Sequence, residues 1–200
     1  MPTQIVFIHG GDSFDSYEEY IDFLKNFEID IERFKPRKRW REWLTEKLGD
    51  DYECLRPDMP NKWNAQFSEW KLWFEKIIPF LADGVIFVGH SLGGVFLAKY
   101  LAENTFPRKI SKLFLLAAPF DSKDADYSMA SFALPADISK ILQQVEKIYL
   151  YHSEDDDIVP FIDQAKYKQA LPEAEVRIFS DRGHFSIDTF PELLEDIRSN

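Results

Sequence analysis

Apolar positions along the chain follow two alternating patterns. Short apolar runs, which predict buried strands, lie at 4–9, 51–55, 85–88, 112–116, 148–151 and 175–179. Between them, apolar residues at helical spacing predict helices over much of 16–48, over 66–81, after Ser91, and over 162–170 and 191–198. Strands that alternate with helices favour a parallel sheet. We therefore predict an α/β fold, a three-layer sandwich with helices on both faces of a twisted, mostly parallel sheet.

Length and composition favour one compact domain over residues 1–200. The chain has 200 residues, 45% of them apolar and five of them tryptophan, which is enough for one substantial core. A formal charge of −11 opposes binding to nucleic acids and anionic membranes, because both are negatively charged. We therefore expect neither as a partner, and the oligomeric state is left open.

Two further features bear on where the protein works. The first residues lead into a strand pattern without the segments of a secretory signal, and no apolar run has the length of a membrane span. The cytoplasm is the expected compartment. Cys54 is the only cysteine, so an internal disulfide is excluded, and its neighbours predict a buried strand residue.

The serine after the third apolar run is the strongest candidate for chemistry. Ser91 stands between Gly89 and Gly93, where a buried strand pattern gives way to a helix pattern. A strand that turns sharply into a helix needs small neighbours and leaves the serine hydroxyl accessible. The free N–H groups at the start of the helix favour a negative oxygen beside Ser91. The G-x-S-x-G pattern alone is a weak signal, so a nucleophile is predicted only if partners follow.

A serine nucleophile needs a base, and histidine has the appropriate pKa. Of the four histidines, His184 follows the last predicted strand, so it shares the carboxyl edge of a parallel sheet with Ser91. We interpret His9, His90 and His152 as structural residues. The sequence therefore predicts His184 as the base.

The base in turn needs a carboxylate that fixes its tautomer. Three consecutive aspartates, 155–157, follow the strand predicted at 148–151, and the apolar residues after them would anchor their loop. Asp156 is the first choice and Asp155 its main competitor, because spacing alone does not distinguish between them.

Together these residues resemble those of the α/β-hydrolase fold enzymes. The resemblance rests on His9-Gly10-Gly11 and on residues 89–93, 156–160 and 183–185, and it covers nearly the whole chain in the order Ser, Asp, His. The short length and residues 56–61 are similar to the small serine hydrolases related to retinoblastoma-binding serine hydrolase, which implies a minimal cap or none. In that group the acid precedes the valine of an Asp-x-x-Val-Pro pattern by three places, which selects Asp156. The segment 16–43 is longer than in this group, which affects the expected entrance to the pocket.

The resemblance implies a serine hydrolase that cleaves carboxylic esters, with thioesters and amides as alternatives. His184 would accept the proton of Ser91 and Asp156 would stabilise the imidazolium, so that an acyl-serine forms and is then hydrolysed. The substrate would be a small acyl compound, and no metal or organic cofactor is expected. The second hypothesis is an interaction protein that retains the fold with little catalysis.

The expected oxyanion site consists of backbone N–H groups. The N–H of Leu92 would bind the oxyanion, together with that of Gly11 by resemblance, and Asp12 is the alternative second donor.

Substrate preference is less well determined by the sequence. The aromatic stripe at helical spacing favours core packing, and it comprises Trp63, Phe67, Trp70, Phe74, Ile77 and Leu81. Four aromatic residues fall in loops that would reach the site, which indicates a short apolar acyl group: Phe14, Trp63, Phe120 and Phe132.

Two segments depart from the regular alternation. Residues 121–141 join two strands by a longer route and are candidates for a small lid over Ser91. Residues 35–41 form a basic cluster in an acidic chain, for which we expect a solvated helix face with local ion pairs. A localisation signal or a site for an anionic ligand are the alternatives for this cluster.

Overall fold

Six parallel strands form one sheet at the centre of the molecule. The computed structural model describes residues 2–31, 35, 38–123, 125 and 127–199. The strands are β1 (Thr3–Ile8), β2 (Tyr52–Leu55), β3 (Val85–His90), β4 (Ile110–Leu116), β5 (Val145–Ser153) and β6 (Glu175–Phe179). They lie in the order β2-β1-β3-β4-β5-β6, and every neighbouring pair is parallel. The predicted parallel sheet is confirmed.

Helices occupy most of the connections. They are α1 (Tyr17–Asn26), α2 (Trp40–Leu48), α3 (Phe67–Glu75), α4 (Leu92–Glu103), α5 (Ile162–Ala170) and α6 (Pro191–Arg198). No helix in the described part of the chain is both long and apolar enough to cross a membrane. The helix predicted over 66–81 ends earlier, at Glu75. Pro79 explains this, because its ring would clash with the carbonyl of the residue four places before it, and a short 3-10 helix at Ile78–Phe80 follows instead.

The two faces of the sheet carry separate apolar clusters. Along β1, Val6 and Ile8 pack on one face with residues of α3, α4 and α5. Ile5 and Phe7 pack on the other face with residues of α2 and α6. Successive strand side chains point to opposite faces, so one strand serves both clusters. Helices on both faces confirm the predicted three-layer sandwich.

The segment 16–48 is less regular than its helical pattern predicts. It holds α1 and α2, of which α2 buries Trp40, Leu44 and Leu48 whereas α1 buries no residue. Cys54 in β2 is only partly buried, against the prediction of a buried residue, because β2 forms an edge of the sheet. Burial raises the pKa of its thiol.

The parallel arrangement places four loops at one edge of the sheet. The chain leaves β1, β3, β5 and β6 at the carboxyl ends of these strands, which lie side by side because all strands run in one direction. The loops that follow carry His9, Ser91, Asp156 and His184. This edge is therefore where the predicted site residues can meet.

Candidate active site

Ser91 occupies a strained corner between β3 and α4. Its backbone has φ 55 and ψ −126, a left-handed φ that a residue with a side chain rarely adopts. Its N–H donates to the carbonyl of Leu116 at 2.9 Å, which holds the corner to β4. A Cβ built at Gly89 would lie 2.6 Å from Gly94 Cα, a distance at which the backbone would have to move. The predicted need for a small residue at Gly89 is confirmed.

His184 is hydrogen-bonded to Asp156. The Nδ1 of His184 donates to Asp156 Oδ2 at 2.9 Å, with Oδ1 at 3.1 Å. The Asp156 side chain is fully buried, and its Oδ1 accepts the N–H groups of Ile158 and Val159, both at 2.9 Å. The loop after β5 therefore aims this carboxylate at the imidazole.

Asp155, the competitor for this position, bonds elsewhere. Its Oδ1 accepts the hydroxyl of Ser153 and the N–H of Gly183, and these contacts tie the loop after β5 to the loop after β6. The structure thus pairs Asp156 with His184 and gives Asp155 a role in holding the two loops together.

The surroundings of Asp156 keep it ionised. Burial alone would raise the pKa of this carboxyl, but the hydrogen bond and charge of His184 and the two backbone donors hold the pKa below its ordinary value. A negative Asp156 fixes the proton of His184 on Nδ1, because only a protonated Nδ1 can donate to it. The Nε2 of His184 is then left as an acceptor.

Two further histidines, predicted only as structural residues, support this pair. His90 donates its Nε2–H to the carbonyl oxygen of His184 at 2.9 Å, and the two rings lie 4.8 Å apart. His152 donates its Nε2–H to the carbonyl of Val159 at 3.0 Å and lies 3.6 Å from Asp156 Oδ2. Their positions, immediately before Ser91 and four before Asp156, are the only signal in the sequence for these contacts.

Burial keeps both supporting histidines neutral. Burial, followed by the charge of His184, lowers the pKa of His90 well below its ordinary value. Burial likewise lowers the pKa of His152. His9 is also occupied by the backbone, since Nδ1 donates to Gly10 O at 2.6 Å and Nε2 accepts the N–H of Met59 at 2.8 Å.

The backbone donors beside Ser91 differ in whether they are already occupied. The N–H of Asp12 donates to Lys62 O at 2.8 Å, so the alternative donor of the oxyanion site is engaged. A Cβ at Gly11 would lie 2.5 Å from the same carbonyl, which leaves room only for glycine. Gly11 and Leu92 both line the cleft that contains Ser91, and Leu92 begins α4. Ser91 Oγ makes no hydrogen bond to another described residue.

A cleft of about 800 Å³ contains Ser91 and His184. Two of the four aromatic residues predicted at the site line it, Phe14 and Trp63. Phe132 is instead completely buried in the core, with its ring centroid 5.2 Å from that of Trp70. Phe120 packs edge-on against Tyr167 at 5.0 Å. Both rings therefore pack in the apolar cluster that contains α3, α4 and α5, and neither lines the cleft.

The aromatic stripe belongs to the core, as its spacing favours, with one exception. Phe67, Trp70, Phe74 and Leu81 are buried, and Ile77 packs against them. Trp63 is 43% exposed and lines the cleft, because it precedes α3 and does not share its buried face.

Helix α1 and the segment predicted as a lid, 121–141, both contribute residues to the walls of the cleft. From α1 come Glu19, Asp22 and Phe23, and from the segment predicted as a lid come residues 127–129. Asp124 and Asp126 of that segment lie outside the described residues, and its action as a lid stays a prediction.

The basic cluster is only in part the solvated face that its sequence predicts. Lys38 is exposed and pairs with Glu46 at 2.6 Å, and Arg39 donates to Ser186 O at 3.1 Å. Arg41 departs from the prediction, because it lines the cleft and is partly buried. Pro36 and Arg37 lie outside the described residues.

Metal binding has no visible basis in the described part of the chain. There, no group of three or more His, Cys, Asp or Glu side chains is placed to hold a metal ion.

Two solved structures share this architecture at low sequence identity. The ydeN gene product of B. subtilis superposes with a TM-score of 0.77 at 19% identity, covering 98% of this chain and 96% of that one. A thioesterase domain from the curacin biosynthetic pathway superposes with a TM-score of 0.61 at 14% identity, covering 99% and 92%. These likenesses, with the six-stranded parallel sheet, show the α/β-hydrolase fold.

Comparison with known sequences identifies the family as well as the fold. The serine hydrolase RBBP9 of Rattus norvegicus is 27% identical over 164 residues, covering 80% of this chain and 85% of its own. A family model described as serine hydrolase matches residues 34–196, which include Ser91, Asp156 and His184. The match spans most of the chain, and the protein belongs to the serine hydrolase family.

Proposed function

We propose that this serine hydrolase cleaves carboxylic esters with Ser91 as nucleophile, His184 as base and Asp156 as the acid that orients the base. The observation that carries the proposal is the buried bond of 2.9 Å between His184 Nδ1 and Asp156 Oδ2, in the cleft that also holds the strained Ser91. An ionised, fully buried carboxylate is costly unless it has partners, and here its partners direct an imidazole at the cleft.

The proposed reaction begins with transfer of one proton. His184 Nε2 accepts the proton of Ser91 as Oγ attacks the acyl carbonyl, and Asp156 stabilises the imidazolium that results. The tetrahedral intermediate collapses when His184 returns the proton to the leaving alcohol. Water then attacks the acyl-serine with His184 again as the base, which releases the carboxylic acid and restores Ser91.

Backbone donors would stabilise the oxyanion. We assign them to the N–H groups of Leu92 and Gly11, and the occupied N–H of Asp12 supports this choice. The N-terminal end of α4 adds the favourable end of a helix dipole. Loss of one such donor typically costs about 3 kcal/mol of transition-state stabilisation.

The nature of the acyl group is part of the proposal. Phe14 and Trp63 on the cleft wall favour a short apolar acyl chain, which a chain-length series of esters would test. One structural neighbour is a thioesterase domain, so matched oxygen and sulfur esters belong in that series. A small acyl compound is the proposed substrate, and the cytoplasmic location stays a prediction.

Labelling with a fluorophosphonate probe tests the nucleophile. We expect the native protein to be labelled and Ser91→Ala to be inert, because the probe reacts only with an activated serine. Ser68→Ala is the matched control, since Ser68 is exposed on α3, and it should label like the native protein. A native protein that resists the probe would favour the second hypothesis, an interaction protein that retains the fold.

A further inference from the structure

Arg41 has a shielded donor that the described structure leaves without a hydrogen bond. The side chain is partly buried, and its Nη1 is shielded from solvent without a hydrogen-bond partner among the described residues. Burial lowers the pKa of Arg41, but a guanidinium stays protonated near neutral pH because its ordinary pKa exceeds about 12. Buried charges are normally paired, so an unpaired one calls for a ligand.

The acid nearest in sequence is already occupied. Glu42 accepts Arg56 at 2.7 Å through Oε1 and the N–H of Arg39 at 3.0 Å through Oε2. The charge of Glu42 favours the charged form of Arg41, and the charges of Arg56 and Arg39 oppose it. Glu42 is therefore shared with two other donors, and no described group hydrogen-bonds to Nη1 of Arg41.

Arg41 borders the part of the cleft where the proposed chemistry takes place. It lines the same cleft as Ser91 and His184, and its charge contributes to lowering the pKa of both His9 and His90, after the larger effect of burial. These two histidines immediately precede the glycine pair and Ser91 in the chain. A group bound at Arg41 would therefore lie near the reacting carbonyl.

Two of the three carboxylates that line the cleft are exposed to solvent. Glu19 and Asp22 are exposed on α1, and Asp22 pairs with Lys25 at 2.8 Å. Asp12 lies beside the glycine pair and has partners of its own. Lys62, which also lines the cleft, is positive and pairs with Asp58 at 3.5 Å.

We propose that Arg41 binds an anionic oxygen group of the substrate, a carboxylate or a phosphate, so that the cleft selects acyl compounds that carry a negative charge. Guanidinium groups match both anions with paired N–H donors. The net charge of −11 acts at long range and is screened by salt, whereas a buried contact is screened much less. The selectivity rests on the proposed function, but anion binding at Arg41 does not.

Matched esters test the proposal. One pair compares 4-nitrophenyl pentanoate with the mono-4-nitrophenyl ester of glutaric acid, which replaces the terminal methyl by a carboxylate. A 4-phosphonobutanoate ester distinguishes phosphate from carboxylate recognition, and a phenyl butyrate pair with and without a ring carboxylate moves the charge to the alcohol. We expect kcat/KM to favour a charged member by roughly tenfold or more, mainly through KM, as for a hydrogen bond to a charged group.

Variants attribute the preference to Arg41. Arg41→Gln should abolish the preference for the charged ester, and Arg41→Lys, which keeps the charge without the planar fork, should retain part of it. Lys76→Gln removes the same charge from an exposed position outside the cleft and should leave the preference unchanged. A native enzyme without preference in any pair, or a preference that survives in Arg41→Gln, would overturn the proposal.

Binding without turnover separates this inference from the proposed function. Glutarate should raise the Tm of the native protein and of Ser91→Ala, but not of Arg41→Gln, and glutaramide should raise none of them. If no ester is hydrolysed yet glutarate still binds through Arg41, the proposed function fails and the anion site stands. If esters are hydrolysed and neither glutarate nor 4-phosphonobutanoate raises the native Tm, the anion site fails and the proposed function stands.

Discussion

Asp156 shows how a single residue is selected by the backbone around it. Two N–H groups, from Ile158 and Val159, converge on one of its oxygens, and the other oxygen faces His184. Neither its type nor its spacing separates it from Asp155, and only the resemblance to the small serine hydrolases selected Asp156. The physical difference lies in the turn after β5, which the residue pattern does not specify.

A conservative change at Asp156 tests this arrangement at the residue scale. Asp156→Asn should reduce kcat for a neutral ester by roughly 10 000-fold, because an amide no longer fixes the productive tautomer of the base. Asp157→Asn, an exposed neighbour, should leave kcat unchanged. Steady-state kinetics on both variants measures the effect, and equal rates for native protein and Asp156→Asn would contradict the assignment.

The position of Arg41 is a residue-scale feature that the sequence pattern did not predict. It stands in a basic run that is typical of a solvated surface, and its neighbour Lys38 does lie on one. Whether a charged side chain turns outward depends on how its helix meets the sheet, and α2 packs with Trp40 and Leu44 beneath it. Ser91 and His184 were predictable because chain order and a parallel sheet bring their loops together, but the inward turn of Arg41 was not.

Several secondary-structure elements were predictable from the apolar pattern alone. The bounds of α5, α6 and β6 agree with the apolar pattern residue for residue. Within 16–48 the pattern predicted helix without separate bounds for α1, a helix that buries no residue. The prediction that Phe132 reaches the site was wrong, because its position in a predicted loop does not reveal that its ring enters the core.

The contrast between α1 and α4 predicts their local stability. We expect the amides of α1 to exchange with deuterium much faster than those of α4, because nine of the twelve residues of α4 are buried and none of α1 is. Hydrogen exchange followed by mass spectrometry on peptides from each helix measures this. Comparable protection would mean that α1 is held by contacts beyond those of its own buried surface. An α1 that opens readily would also widen the cleft, since it forms one wall.

The charge of the whole molecule controls its behaviour in acid. The sequence pI is about 4.8, so the net charge of −11 at neutral pH vanishes there and repulsion between molecules is lost. Asp156 and Asp196 respond at lower pH. Burial would raise the pKa of each, but hydrogen bonds from His184 to Asp156 and from Arg177 and Tyr151 to Asp196 lower it.

The direction of these pKa shifts sets the order in which acidification lowers the solubility and the stability of the protein. A carboxyl whose pKa is lower in the folded state stabilises the fold above its unfolded pKa of about 3.9 and loses this effect as the pH falls toward the folded value. We therefore expect solubility to reach its minimum near pH 4.8 while the protein is still folded. Light scattering with near-UV circular dichroism measures both events. A loss of the near-UV signal before scattering rises would contradict the expected order.

The edge position of β6 means that activity and fold need not be lost together. Ser91 follows β3, whose residues are almost all buried at the centre of the sheet, whereas His184 follows β6, an edge strand with no buried residue. Edge strands open at lower free energy than central ones. Fraying of β6 would withdraw the proposed base from an intact nucleophile corner, and the His90 bond to the His184 carbonyl opposes this withdrawal. Heat or denaturant would then inactivate the molecule reversibly before it unfolds.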